Sequence, residues 1–142
     1  MIWEDVLLPR WFEAPDLARA FGDALHLDPQ QVMVVDEAAD AVGRVTEMTP
    51  LLLQRTPVAG EFCLHVAAFP RQADLARIDE WAVLRTICSQ LHAACLIPDD
   101  GFADSTWLEM QADGTIERVM LDADALDRDE YYIVRRKVLA TA

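Results

Sequence analysis

Residues 72–122 read QADLARIDEWAVLRTICSQLHAACLIPDDGFADSTWLEMQADGTIERVMLD, and the rest of the chain is organised around them. The first half predicts one long amphipathic helix from Ala73 to Leu96. At 100° per residue, Trp81, Leu84, Cys88, Leu91 and Cys95 fall on one stripe, flanked by Ile87 and Ala94. Arg85, Thr86, Ser89 and Gln90 fill much of the opposite side. Pro98 ends the helix and opens an acidic loop that runs to Ser105. Trp107-Leu-Glu-Met and Ile116-Glu-Arg-Val-Met-Leu then alternate apolar with charged residues around Asp113-Gly114. That pattern is a β-hairpin with one solvent-facing side.

Upstream, Glu61 to Phe69 predicts a central strand. Phe62, Leu64, Val66 and Ala68 share one face, Cys63, His65, Ala67 and Phe69 the other, and both look largely buried. Arg44 to Arg55, broken by Pro50 and bounded by Pro57, reads as an edge strand or an irregular connection. Gln31 to Val35 is a short buried strand, and Asp36 to Gly43 a loop or one helical turn. Ala14-Pro15-Asp16 starts a short helix, with Leu17, Phe21, Ala24 and Leu25 at helical spacing. The opening, Ile2 to Phe12, is an edge strand or an arm across the core, with Trp3 and Trp11 both expected to be covered. Downstream, Asp122 to Glu130 is an acidic turn or short helix and Tyr131 to Leu139 a last strand. The expected fold is therefore a single α+β domain, residues 1–142, in which a mainly antiparallel sheet is packed by one long and one short helix.

Composition sets outer bounds. At 142 residues, 53% hydrophobic and 26% charged, the chain is a normal globular domain, able to bury a real core. Its apolar runs are too short for a membrane span. Met1-Ile2-Trp3-Glu4-Asp5 has neither a basic start nor a cleavage site, so a cytoplasmic protein is expected. Twelve Lys+Arg against twenty-five Asp+Glu give −13, which speaks against nucleic acid or anionic membrane as partners. The excess concentrates between Asp99 and Glu130, where eleven acids face Arg118 and Arg128. Such a region is either a solvated face or a landing surface for a basic protein.

Signatures of chemistry are sparse. Three cysteines, an odd number with no CxxC pair, argue against a disulfide framework. Cys88, His92 and Cys95, with Cys63 and His65 on the preceding strand, would supply five zinc ligands if strand and helix faced one another. No standard zinc spacing is matched, however, and Cys88 and Cys95 lie in the apolar stripe, where cysteine packs as a small hydrophobe. The acids after Asp122 fail the calcium-loop pattern: Leu126 takes a ligand slot, Asp127 the glycine slot and Ile133 the closing Glu slot. Neither Ser89 nor Ser105 sits in a nucleophile elbow, and no glycine-rich phosphate loop is present. No cofactor, metal or catalytic residue is expected.

From Glu80 onward, the Cys-Leu-Ile-Pro-Asp-Asp-Gly segment, Trp107-Leu-Glu-Met, Asp113-Gly114, Val119-Met-Leu-Asp122, Ala125-Leu-Asp and Tyr131-Tyr-Ile resemble small bacterial immunity-type proteins of polymorphic toxin systems. The resemblance covers about the last sixty residues. It implies a non-enzymatic inhibitor that binds a cognate toxin directly. The expected contacts are then Asp99, Asp100, Asp104, Asp122, Asp124, Asp127 and Asp129, meeting a basic toxin domain; a homodimer is compatible with the same features. Leu17 to Leu27, with Phe21-Gly22, is similar to the first helix of type III secretion effector chaperones, whose cargo would be a secreted effector. The strand expected at Tyr131 to Leu139 departs from that family's last helix. A small-molecule or metal-dependent enzyme is the third alternative.

Overall fold

Residues 1–99 and 105–141 are described by a computed structural model. The chain runs β1 (Asp5–Leu8), α1 (Ala14–Leu25), β2 (Val32–Val35), β3 (Leu51–Pro57), β4 (Ala59–Gly60), β5 (Leu64–Pro70), α2 (Glu80–Leu91), β6 (Cys95–Pro98), β7 (Thr106–Met110), β8 (Thr115–Leu121), α3 (Ala123–Leu126), β9 (Glu130–Tyr131) and β10 (Ile133–Thr141). Eight strands form one sheet in the order β10-β8-β7-β6-β1-β5-β3-β2, and β4 pairs with β9 as a small second ladder. Every pairing in the large sheet is antiparallel except β2 with β3. The architecture is α+β, as the alternation of helical and period-2 segments predicts.

Strand pleating divides the apolar residues between two faces. Val6 and Leu8 of β1, Leu64, Val66 and Ala68 of β5, and Cys95 and Ile97 of β6 point to one side. There α1 and α2 lay down Leu17, Phe21, Ala24, Leu25, Val83, Leu84, Ile87, Cys88 and Leu91, all buried. The other face carries a smaller cluster of Leu7, Phe62, Leu96, Val119 and Leu121, covered by Val58, Leu126, Tyr131 and Ile133. That cover spans only the β6–β8 side. Over β5 and β3 the face opposite α1 and α2 stays partly open, with His65 and Ala67 half-buried and Phe69 47% exposed.

Local chemistry sets the helix ends. α1 has Pro15 and Asp16 in its first turn and stops at His26, which adopts a left-handed φ of 59°. The Leu27 N–H returns to the Gly22 carbonyl at 2.8 Å, and a Cβ on Gly22 would lie 2.9 Å from the Leu27 oxygen. Gly22 is therefore the residue that lets the chain fold back over the helix end.

Several expectations are corrected. Ala73 to Leu96 is not one helix: Ala73–Arg77 form a 3₁₀ turn, Ile78 is extended, and Asp79 caps a new helix by accepting the Trp81 N–H at 3.0 Å. That helix ends at His92, again left-handed, so α1 and α2 are equal at twelve residues each, not one long and one short. Cys95 consequently lies on β6. It is buried all the same, because the β6 pleat returns it to the helix-covered face beside Cys88. The opening segment is no edge or arm, since β1 pairs with β5 on one side and β6 on the other. Trp3 is fully buried, but Trp11 is 41% exposed, with the Arg55 guanidinium 4.4 Å above its ring. β3 is an interior strand, its prolines lying just before it and at its last residue. Phe62 precedes β5 and joins the cluster opposite Leu64, so the two do not share a face. The cap assignment is testable: Asp79→Ala should lower unfolding free energy by about 1 kcal/mol in urea titration. An unchanged midpoint would show that tertiary packing alone sets the start of α2.

Candidate functional site

Where the cover on the face opposite α1 and α2 stops, a cleft of about 410 Å³ opens, lined by Asp5, Leu7, Thr56, Val58, His65, Pro98, Trp107, Asp129 and Tyr131. These residues come from β1, β3, β5, β6, β7, β9 and the turns beside β4 and β9. Strand register assembles the floor: His65 stands directly across from Leu7 on one neighbour and from Thr56 on the other. Asp5, two residues along β1, reaches the His65 Nε2 at 3.0 Å. Trp107 and Tyr131 meet edge to face, their centroids 5.9 Å apart at 75°. Leu7, Val58 and Pro98 complete the apolar lining.

One glycine holds this wall in place. Gly60 has a φ of 111°, and a Cβ there would sit 2.4 Å from the Tyr131 carbonyl oxygen. Without a side chain, the backbone at Gly60 comes close enough for the Glu61 N–H to donate to that oxygen at 2.8 Å. Asp129, just before β9, takes a left-handed φ of 56°, which Asp tolerates better than most side chains. Burial, and secondarily the charge of Asp129, raises the pKa of Tyr131, so its hydroxyl remains a neutral hydrogen-bonding group at physiological pH.

The seven acids expected to make contact fare differently. Asp100 and Asp104 lie outside the described residues. Asp99 bonds the Arg118 Nε at 3.1 Å and its side chain is 13% exposed. Asp122 caps α3, its carboxylate accepting from the Asp124 and Ala125 N–H groups at 3.0 and 3.1 Å. Asp124, Asp127 and Asp129 are exposed, and Asp129 also lines the cleft. The acidic surface thus narrows to α3 and its exit. It gains Asp5, 64% exposed in the same cleft, which no sequence pattern singles out.

The cysteine and histidine set does not converge. His65 lies on the face opposite α1 and α2 while Cys88 and Cys95 are in the core on the other, as pleating requires of a residue between Leu64 and Val66. Cys63 contacts the Pro9 carbonyl at 3.5 Å, and His92 is an exposed helix end. Among the described residues no group of three His, Cys, Asp or Glu side chains could hold a metal ion. Contact with Cys88, and then burial, pushes the Cys95 thiol well above its ordinary pKa, so it stays protonated and unreactive. Among the described residues no helix is long and apolar enough to cross a membrane. Compared with known proteins, the chain matches no family model, no curated protein and no solved structure.

Proposed function

We propose that this chain is a non-enzymatic binding protein that engages a basic protein partner, acting as an immunity-type inhibitor of a bacterial toxin. The observation that carries this reading is an aromatic-walled cleft lined by the exposed carboxylates of Asp129 and Asp5, with Asp124 and Asp127 exposed on and just after α3, on a chain of net charge −13. An apolar centre with a charged rim is the usual build of a specific interface. The rim charges speed association with an oppositely charged surface. The type III chaperone alternative is less well supported, because residues 133–139, where that pattern needs a helix, belong to strand β10.

Co-expression with the product of a neighbouring toxin-like gene tests the reading: relief of toxicity and a one-to-one complex are expected. Lysine at Asp124, Asp127 and Asp129 together should slow association by about tenfold or more at low salt. The difference should shrink at 1 M salt, where the screening length is about 3 Å. Association that ignores these reversals at low salt would remove the electrostatic basis of the proposal.

A second reading has one specific observation behind it. His65, oriented by Asp5 and facing Thr56 across the strand pair, opens onto the same cleft, an arrangement able to move a proton on a bound small molecule. His65→Asn separates the two: on the binding reading toxin neutralisation persists, on the enzymatic reading activity disappears.

A further inference from the structure

We infer that the cleft seats one arginine side chain presented by the basic partner. Its guanidinium would lie against the Tyr131–Trp107 wall and bond the carboxylates of Asp129 and Asp5, with its aliphatic stem along Leu7, Val58 and Pro98. This rests on the binding reading above and specifies what that partner must present.

Three features of the site select this occupant. The charged rim groups are Asp129 and Asp5, and the residues lining the cleft include neither Lys nor Arg. Among the described lining residues the one cationic candidate is His65, and its Nε2 is already engaged by Asp5. An anion would therefore meet two carboxylates in a partly apolar recess, whereas a cation gains from both. The walls favour arginine over lysine, because a planar guanidinium stacks on aromatic faces and offers a fork of donors to carboxylates. A hydrated ammonium would lose more solvation against Leu7 and Val58 than it regained.

The molecule contains a working example of the same chemistry. Arg55 lies over the Trp11 ring, 4.4 Å from its centroid. It donates through Nε and a terminal nitrogen to the two carboxylate oxygens of Asp36, at 2.7 and 3.1 Å. The Phe12 carbonyl accepts a third bond from Arg55 at 3.0 Å, so an aromatic face, a carboxylate and a backbone oxygen together fix this guanidinium. The cleft gathers the same kinds of group, Tyr131 and Trp107 with Asp129 and Asp5, around a recess of about 410 Å³. Asp129 is also pre-positioned: its backbone is tied by its own N–H to Leu126 and by its carbonyl to Ala59, so little ordering remains to be done on binding.

The test uses the intact chain and three small probes: blocked arginine (N-acetyl-arginine amide), the matching blocked lysine, and blocked citrulline, which keeps the shape and loses the charge. Two-dimensional NMR titrations should show blocked arginine shifting the Tyr131, Asp129 and Trp107 signals, with affinity at least about tenfold above citrulline and above lysine. Asp129→Asn, which tolerates the same left-handed backbone, should cut arginine affinity about tenfold with the remaining spectrum unchanged. Tyr131→Leu gives an independent loss should the first variant perturb the turn. Equal binding of citrulline, stronger binding of lysine, or shifts indifferent to Asp129→Asn would overturn the inference. Free arginine binding far tighter than its blocked form would also overturn it, by making the occupant a metabolite and not a partner side chain. The two proposals fail separately. A basic partner that binds Asp129→Asn and Tyr131→Leu at full affinity, yet responds to reversal of Asp124 and Asp127, removes the arginine seat and keeps the binding function. A chain that takes blocked arginine but binds no basic protein does the reverse.

Discussion

Gly60→Ala is expected to destabilise the protein by about 3 kcal/mol and to dismantle the wall of the cleft. Two costs add. A side chain at a φ of 111° is in a region that L-residues rarely occupy, worth about 1–3 kcal/mol. The new methyl would also sit 2.4 Å from the Tyr131 oxygen, 2.6 Å from its nitrogen and 2.8 Å from its carbonyl carbon. All three are backbone atoms of β9, so no rotamer change relieves the overlap. The β4–β9 ladder must separate, giving up the Glu61 to Tyr131 hydrogen bond, worth about 1 kcal/mol. Tyr131 would then leave Trp107, and the near-ultraviolet circular dichroism of that aromatic pair should fall. Gly43→Ala is the control. That glycine also has a positive φ, 78°, but nothing lies within 4 Å of the position a Cβ would take. Its cost should be the backbone term alone, about 1–2 kcal/mol, with the aromatic signal intact. If the two variants unfold at the same urea concentration, close backbone approach at Gly60 contributes nothing.

That contrast also marks how far the sequence could be read. The hairpin at Asp113-Gly114 and the start of α1 at Pro15 and Asp16 were legible because their causes are local: a turn dipeptide, a fixed proline φ, an acid at a helix start. Asp122 as the cap of α3 is legible in principle, since Asp followed by Ala-Asp-Ala-Leu is a helix-start pattern, but its charge alone points equally to a contact residue. The end of α2 at His92 was hidden by coincidence, because Cys88 and Cys95 are seven apart and would face the same way in a helix that ran on. The cleft was not legible at all. Asp5, His65, Trp107 and Tyr131 lie far apart in the chain, and they meet only because β1 enters the centre of the sheet, a pairing that no local pattern specifies. The open face of β5 has the same origin: His65 and Ala67 look like core by composition, and only the extent of the cover from α3 and β9 leaves them half-exposed.

Arg136→Ala is expected to cost about 3 kcal/mol at pH 8 and much less at pH 5, because it strands a buried carboxylate. Glu109 is 3% exposed, standing across β7 and β6 from buried Leu96 and directly opposite Glu117 on β8. Two like charges face to face on one side of a sheet repel unless a cation bridges them. Arg136 of β10 does so, donating to Glu109 and, at 3.0 Å, to Glu117, while Gln111 supplies a further donor to Glu109 at 2.8 Å. Burial raises the pKa of Glu109 above its ordinary 4.5, and the charge and hydrogen bond of Arg136 oppose that rise. The folded state therefore holds this proton more tightly than the unfolded chain does. Glu109 then opposes folding when ionised, and its penalty disappears as pH falls through the raised folded value toward 4.5. Removing Arg136 raises the folded value further, which deepens the penalty at pH 8 and extends the range over which acid relieves it. Urea titrations of parent and variant at pH 5 and pH 8 measure this directly. The double variant Glu109→Gln with Arg136→Ala should recover most of the loss, because an amide leaves no unpaired charge beside Leu96. Equal destabilisation at both pH values, unrelieved by Glu109→Gln, would mean that Arg136 holds β10 to the sheet by packing and not by charge.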